Sequence, residues 1–418
     1  MKYWLKVCLV VASISCGADN DFDFSGFGSL GYISSDSDVY GYRNDLSQPN
    51  GIFENDFDFK NTTVLGVQMG YVASNQFDVV IQGVYRGQDD FDLDKAIAQA
   101  FLRYDPSVNW TARFGRVPIS LFHYTEYRDI GFALTWAKVP NEVYGLVPYR
   151  FLDGADLTFQ RQFGSSTFRS KIFYGTSKTD IGANGDVEEV GVEQAYGLTL
   201  ELEHANWLIE TSHSLITLEN NIPSIEQLLQ GIAFIGATAP AAWPDSAAFA
   251  SDLSLASKQG RYSSISASYN LNNWKFETEF ARVRGDGILI RPLDSAFASL
   301  TYKFDDWSLY TIVADTDTEH YRFIRPFTPS DVYSDPQTIA IVEQIFAGID
   351  ITSNFFSSNQ QTWSLGARWN IGENVALKLQ YDRTHIDEDG GTLWVSEPIN
   401  FSAEDKVNTL HANVSFIF

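Results

Sequence analysis

The sequence predicts an all-β fold: a transmembrane antiparallel β-barrel of about sixteen strands, with short turns at one end and long loops at the other. Three observations predict it. Apolar and polar residues alternate with a period of two along most of the chain, short and long connections follow one another strictly, and no apolar run reaches the roughly 18 residues that a membrane-spanning helix needs. Aromatic residues make up 15% of the chain although only 44% of it is hydrophobic, which suits a barrel whose alternate residues meet lipid.

Residues 1–18 have the features of a secretion signal: a basic start, an apolar core over residues 7–14, and small residues before a cleavage site at their end. Lipid attachment at Cys16 is an alternative, although the three residues before it suit that reaction poorly. Cleavage removes both cysteines, so we expect residues 19–418 to form a single barrel domain without a disulfide or a cysteine-based metal site. The net charge of −24 makes the chain a poor candidate for binding nucleic acid.

Sixteen segments carry the alternation, and the last one shows it most clearly. One of its faces is apolar and the other polar: Leu410, Ala412, Val414, Phe416 and Phe418 against Thr409, His411, Asn413 and Ser415. The apolar faces carry no charged residue. A charged side chain there would cost about 2–4 kcal/mol at the bilayer midplane. A large soluble β-sandwich, the alternative, would have to hydrate one face of every strand. The segments are centred near residues 28, 67, 81, 100, 113, 159, 171, 199, 211, 267, 278, 301, 310, 366, 379 and 413.

The connections between these segments set the orientation, because short turns of such barrels face the periplasm and long loops face the outside. The short connections are residues 73–76, 105–109, 163–166, 204–206, 270–273, 305–306 and 371–374. The long ones lie near residues 35–61, 87–94, 117–153, 176–194, 218–260, 285–294, 314–360 and 384–405. We expect the interior of a barrel of this size to remain open as an aqueous channel.

Five tryptophans mark one membrane interface independently of the turns. Each lies within two residues of a short connection, and indole rings prefer the headgroup level, where the ring is apolar and the N–H stays wet. We therefore predict a periplasmic aromatic girdle of Trp110, Trp207, Trp274, Trp307 and Trp369.

With these features the chain resembles a Gram-negative porin of the sixteen-stranded, trimeric kind. The resemblance rests on the strand pattern, the signal peptide, the final strand Val407–Phe418 with its terminal phenylalanine, and the run Arg113-Phe114-Gly115-Arg116 that leads into a long loop. It implies a place in the cell outer membrane, in contact with lipid and lipopolysaccharide, and assembly as a homotrimer. It also implies that Phe416 and Phe418 belong to the signal that the outer-membrane assembly machinery reads.

In porins the loop after the fifth strand folds into the barrel, and here that loop is residues 117–153. It is rich in aromatic residues and needs a surface against which to bury them; a cap on neighbouring outer loops is the alternative. The resemblance implies a basic wall facing loop carboxylates at a pore constriction, although each charge could simply be solvated or paired with a neighbour. Our candidates are Arg103, Arg113 and Arg116 for the wall, with Glu126, Arg128, Asp129 and Glu142 on the loop.

The predicted function is passive diffusion of small hydrophilic solutes and ions through this barrel, with no cofactor. A substrate-preferring porin for a sugar, an amino acid or an anion remains an alternative, as does an adhesive or structural barrel. We expect no enzyme, because none of the six histidines lies in a G-x-S-x-G or H-E-x-x-H context, and therefore we assign no catalytic residue.

The outer loops carry two helical signals and two acidic runs. Ser224 and Gln227 could form a capping box before an apolar run that ends at Ile235, and Asp335-Pro336 precedes an amphipathic stretch. We expect both helices to cover part of the outer mouth. The acidic runs at residues 89–94 and 387–390 fit solvated loops, or divalent-ion bridging to lipopolysaccharide, better than they fit an EF-hand.

Overall fold

The computed structural model describes residues 21–87, 92–183, 185–396 and 405–418. The predicted signal peptide and residues 89–91 of the first acidic run lie outside these residues, whereas the second acidic run, residues 387–390, lies within them. Within them the chain forms a closed antiparallel barrel in which every strand pairs with its neighbours in chain order. We number the barrel strands β1 Phe22–Ser35, β2 Val64–Ser74, β3 Phe77–Arg86, β4 Ile97–Ser107, β5 Trp110–Pro118, β6 Phe151–Phe163, β7 Ser166–Ala183, β8 Asp186–His204, β9 Trp207–Leu218, β10 Gln259–Leu271, β11 Trp274–Gly285, β12 Leu293–Phe304, β13 Trp307–Thr318, β14 Ser358–Asn370, β15 Val375–Gly391 and β16 Asp405–Ile417.

The sixteen strands contain all of the predicted segments, and the alternation has the predicted sense. On β15, Leu377 and Leu379 are exposed on the outer face, whereas Lys378 and Gln380 between them point inward and are buried. The fold class is therefore confirmed. Among the described residues, no helix is long and apolar enough to cross a membrane.

Strand β1 closes the barrel against β16, as the terminal strand predicts. The backbone N–H of Gly26 donates to the carbonyl of Phe418 over 2.9 Å, and the N–H of Phe418 donates back to Gly26 over 3.0 Å. A side chain at Gly26 would overlap the ring of Phe418, and one at Gly28 would meet the ring of Phe416. These two glycines therefore let the terminal aromatic rings lie directly on β1.

The short turns lie where the sequence places them, and several use backbone conformations suited to tight hairpins. Asn272 and Asp305 have positive φ angles of 52° and 46°, a conformation that Asn and Asp adopt more readily than other residues with a side chain. The long connection predicted at residues 176–194 is wrong. Strands β7 and β8 continue through it with paired residues from Thr179 to Val190 and beyond, because the side chains go on alternating between buried and exposed. The connection is a hairpin that extends past the barrel rim.

The outer half of the interior is filled by an apolar core, which the sequence analysis did not anticipate. Two short strands, Tyr40–Tyr42 and Trp394–Ser396, pair inside the outer mouth. Short helical segments accompany them: α1 Leu93–Ala96, a 3₁₀ turn Gly131–Ala133, α2 Asn141–Tyr144 and α5 Pro329–Val332. The larger outer helices are α3 Pro223–Thr238, α4 Ser246–Leu253 and α6 Pro336–Ser353. Apolar side chains of these helices join those of residues 117–152 and of the strands in one cluster.

Both predicted outer-loop helices are present, but only one has the predicted cap. The Asp335 side chain accepts a hydrogen bond from the backbone N–H of Thr338 at the start of α6. The capping box at Ser224 is wrong, because α3 begins one residue earlier at Pro223 with Ile222 as its N-cap. The Ser224 hydroxyl instead donates to Glu188 over 3.0 Å, which ties the helix to β8.

Candidate functional site

The loop between β5 and β6, residues 119–150, folds into the barrel and contacts its inner face on several sides. The backbone N–H of His123 donates to Glu279 on β11 over 3.0 Å, and the indole N–H of Trp136 donates to Ser299 on β12 over 2.9 Å. On the other side, Asp129 accepts from Arg86 of β3, with the closest N–O distance 2.6 Å. Because these strands lie far apart in the sheet order, the loop spans the lumen.

Basic side chains of the wall hold the irregular part of this loop by its backbone carbonyls. Lys378 on β15 donates to the carbonyls of Leu134 and Trp136 over 2.6 and 2.8 Å. Arg368 on β14 donates to the carbonyls of Phe132 and Leu134 over 2.9 and 2.7 Å. Buried carbonyls without secondary structure need such donors, so these two cations fix the course of the loop.

The aromatic residues that predict a buried loop are packed on the β11–β13 side. Trp136 is 1% exposed, and its ring lies edge-on to Tyr124 at 5.3 Å and to Phe297 at 5.4 Å. The hydroxyls of Tyr124 and Tyr144 donate to the carboxylates of Glu277 and Glu279. The rings thus bury their apolar surface while each hydroxyl finds an acceptor.

Each arginine of the predicted basic wall pairs with a carboxylate on an adjacent strand. Arg103 and Arg113 face the lumen, whereas Arg116 shares the outward parity of Phe114. The shortest contacts of Arg113 with Asp156, 2.6 Å, and of Arg116 with Asp153, 2.7 Å, join directly opposed residues of β5 and β6. Arg103 pairs in the same way with Asp78, its opposite residue on β3. These aspartates are not among the predicted site residues. The strand pattern alone places Asp156 on the inward face, but its pairing with Arg113 depends on the strand register.

The predicted loop charges do not lie together. Glu126 lies 2.5 Å from Lys171 on β7 and 4.0 Å from Arg113, and Asp129 lies between Arg86 and Arg150. Burial alone would raise the pKa of Asp129, but Arg150 and Arg86 outweigh it and hold that pKa well below its usual range.

Glu142 and Arg128 occupy different surroundings from Glu126. Glu142 is 2% exposed and accepts from Gln360 and Thr362 on β14, on the side of the barrel away from Arg113. The guanidinium of Arg128 donates to the carbonyls of Tyr144 and Tyr149 over 3.1 and 2.8 Å. Burial, together with Arg150, lowers the pKa of Arg128 to about 9. Among the seven predicted constriction residues, all of which the structure describes, Arg113 and Glu126 form the one ion pair, with an N–O distance of 4.0 Å.

Polar cavities follow the inner face of the early strands, and one loop segment divides them. Glu126, Tyr127 and Ala133 face a cavity of about 620 Å³ toward the short-turn end. Arg128, Asp129 and Gly131 face a smaller cavity of about 130 Å³ on the outer side, which shares lining residues with an outer vestibule of about 860 Å³. Residues 126–133 therefore form a partition, which we call the loop partition.

The five predicted girdle tryptophans are exposed on the outer face at the short-turn end. Each contacts an aromatic ring of an adjacent strand, and the centroid distances run from 4.4 to 5.4 Å. The planes of Trp307 and Trp369 differ by only 5°. The rings thus form pairs around part of this rim.

A closed barrel of sixteen strands with an inward loop after the fifth is the fold of the porins. Solved structures with this fold include Salmonella typhi OmpF in complex with daunomycin, with a TM-score of 0.53 and 10% identity over 95% of this chain and 97% of that one. The anion-selective porin from Comamonas acidovorans gives 0.52 and 9% over 95% and 99%. The Acinetobacter baumannii outer-membrane channel DcaP gives 0.52 and 12% over 95% and 97%. No protein-family model and no curated protein matches the sequence.

Proposed function

We propose that this protein is a channel of the Gram-negative outer membrane, through which small hydrophilic solutes and ions diffuse passively. One observation carries the proposal: polar cavities lie on both faces of the loop partition, against β4 to β11 on one face and against β1, β3 and β16 on the other. The fold is that of porins, including proteins described as an anion-selective porin and an outer-membrane channel. At such low identity that likeness supports the architecture, and the cavities supply the argument for transport.

In this proposal residues 117–153 narrow the channel and the loop partition is its tightest part. Arg86, Arg113 and Lys171 project from the wall, and Glu126 and Asp129 face them from the loop. Opposed charges across a narrow, water-filled passage create a transverse field that favours polar solutes over apolar ones. Arg103 flanks this point, whereas Glu142 contributes to holding the loop and Arg116 pairs with Asp153 on the outward face.

The surroundings proposed for the barrel follow from its outer face. Exposed apolar side chains of the strands would meet lipid, and the tryptophan pairs would lie at the periplasmic headgroup level. Outer-leaflet lipopolysaccharide would surround the opposite rim. We also propose a homotrimer and assembly through the terminal Phe416 and Phe418, both on the grounds of the porin-like fold.

Planar-bilayer recordings test the channel with a double substitution, Arg103→Ala with Arg113→Ala. Two cations that line the large cavity are lost while Asp78 and Asp156 remain. The single-channel conductance should therefore change roughly twofold, and the reversal potential in a salt gradient should shift toward the value for greater cation selectivity. Arg261→Ala with Arg282→Ala is the matched control, because both arginines lie on the outer face beside Asp286 and Asp294. Its conductance should match the parent. Equal conductance in all three proteins would remove the two wall arginines from the constriction. The absence of any conductance in the parent would favour an adhesive or structural barrel.

A further inference from the structure

We propose that the cavity of about 620 Å³ below the loop partition is a subsite for small solutes that carry both an ammonium and a carboxylate group, the charge pattern of an amino acid. The proposal rests on the channel function above and names its preferred solute class. It follows from charges of opposite sign on different walls of one cavity, and from a buried carboxylate oxygen that lacks a partner.

The acidic wall of the cavity lies on β8, β9 and β11. Glu201 and Glu210 are directly opposed in register on β8 and β9, with both side chains pointing inward. Like charges at directly opposed positions destabilise a sheet. Glu201 forms one ion pair, with Arg169 at 3.5 Å, and Glu210 faces the titratable imidazole of His123 at 3.2 Å. A visiting ammonium group would relieve this repulsion.

Glu277 on β11 adds the observation that points to a ligand. It is 3% exposed and lines the same cavity. Its Oε1 accepts from Tyr124 and lies 2.6 Å from the ammonium of Lys275, but its Oε2 has no hydrogen-bond partner among the described residues. A buried carboxylate oxygen without a donor is costly, and an N–H of a solute ammonium could supply the missing donor after a small side-chain shift.

The basic wall lies on β4 to β7. The side chains of Arg103 and Arg169 are 44% and 46% exposed, and Arg113 and Lys171 lie deeper, beside Asp156. The guanidinium fork of an arginine binds a carboxylate through two parallel hydrogen bonds. Arg103 already pairs with Asp78 and Asp105, and Arg169 donates to Gln160 and pairs with Glu201. Because a guanidinium group has five N–H donors, each still has donors left for the carboxylate end of a solute.

The two walls together discriminate among solute classes. A neutral polyol balances the charge of neither wall, and a simple anion or cation balances the charge of only one wall. The rings of Phe122, Tyr124 and Tyr127 also line the cavity near the acidic wall, and a ring face attracts an ammonium group. Weak contacts at several points suit a channel, because a solute that bound tightly would not leave.

Liposome swelling with alanine and lactamide tests the proposal, because these isomers have the same size and no net charge, and only alanine is a zwitterion. After subtraction of protein-free liposomes, alanine should enter roughly threefold faster than lactamide, as weak ion pairing at both ends predicts. In Glu201→Gln with Glu210→Gln, the alanine-to-lactamide ratio should fall to about one while lactamide entry persists. That persistence shows that the variant has folded.

Glu203→Gln is the matched control. It removes a carboxylate from the same face of β8, outside the cavity lining, and should keep the parental ratio. A parental ratio of one, or an equal ratio in the parent and the double variant, would overturn the subsite while leaving the channel intact. Failure of both solutes to enter parental liposomes would overturn the channel function, and the subsite with it.

Discussion

The two sides of the barrel interior differ in what fills them. In the half near the short turns, the inward side chains of β4 to β9 include Arg103, Lys171 and Glu210, which border the large cavity. Along β12 and β13 the inward positions include Phe297, Tyr310 and Ile312, which join Trp136 and the outer helices in one apolar cluster. A strand pattern that alternates in the same way throughout therefore produces a wet side and a dry side, because the loops decide which inward residues meet water.

The largest expected effect comes from breaking the dry side. Phe346 on α6 is fully buried against Trp243, Phe323 and Phe327. Phe346→Ala should lower the free energy of unfolding of this packed region by about 3–5 kcal/mol, as phenylalanine truncations in cores do. Denaturant unfolding followed by tryptophan fluorescence measures the change.

Phe234→Ala on α3 provides the control for that experiment, because Phe234 is 42% exposed and its loss should leave the unfolding midpoint nearly unchanged. Equal loss of stability in the two variants would mean that the helices do not form the packed core described here. Conductance should change little in either protein as long as the loop partition keeps its place.

How much the sequence predicts differs between wall and interior. The sixteen strands, the terminal closure and the inward loop follow from alternation, turn length and the porin resemblance, which depend on local pattern. The dry side does not, because Ile232 and Val342 read only as amphipathic helix positions, and the surface they cover depends on the path of the loops.

The candidate site shows the same division. Arg113 and Glu126 were selected from the sequence and lie 4.0 Å apart, whereas Glu142 was selected on equal grounds and lies against β14. The partner Asp156 was missed, since cross-strand pairs require the register. Composition predicts that a loop carries charges, but only the fold determines which wall each charge meets.

A smaller effect is expected from pH on the wet side. Burial alone would lower the pKa of His123, but its contacts with Glu210, Glu279 and Glu201 outweigh burial and raise it above 6.5. Stabilisation of the loop by the charged imidazole is therefore complete below pH 6.5 and is lost as pH rises through the raised pKa. Open-channel current noise should grow over that interval. The growth should be small, because the imidazole stabilises the loop by less than about 1 kcal/mol.

His123→Gln should remove this dependence, because glutamine keeps a hydrogen-bond donor toward Glu210 and does not titrate near neutrality. The nearby Tyr127 hydroxyl, whose pKa is raised further by burial and by Glu210, stays protonated over the same interval. Noise that varies with pH equally in both proteins would assign the effect to another group.

Cysteine accessibility tests the central claim, that solutes pass along the wet side, most directly. The only cysteines of the chain lie within residues 1–18, so a single introduced thiol can be labelled. Thr158→Cys lies on β6 in the cavity below the loop partition, and Ser295→Cys lies on β12, where Ser295 is 3% exposed. A charged methanethiosulfonate reagent should reduce the single-channel conductance of the Thr158→Cys channel and leave that of the Ser295→Cys channel unchanged. The opposite pattern would contradict the account, because it would place the conducting path on the side that we describe as packed.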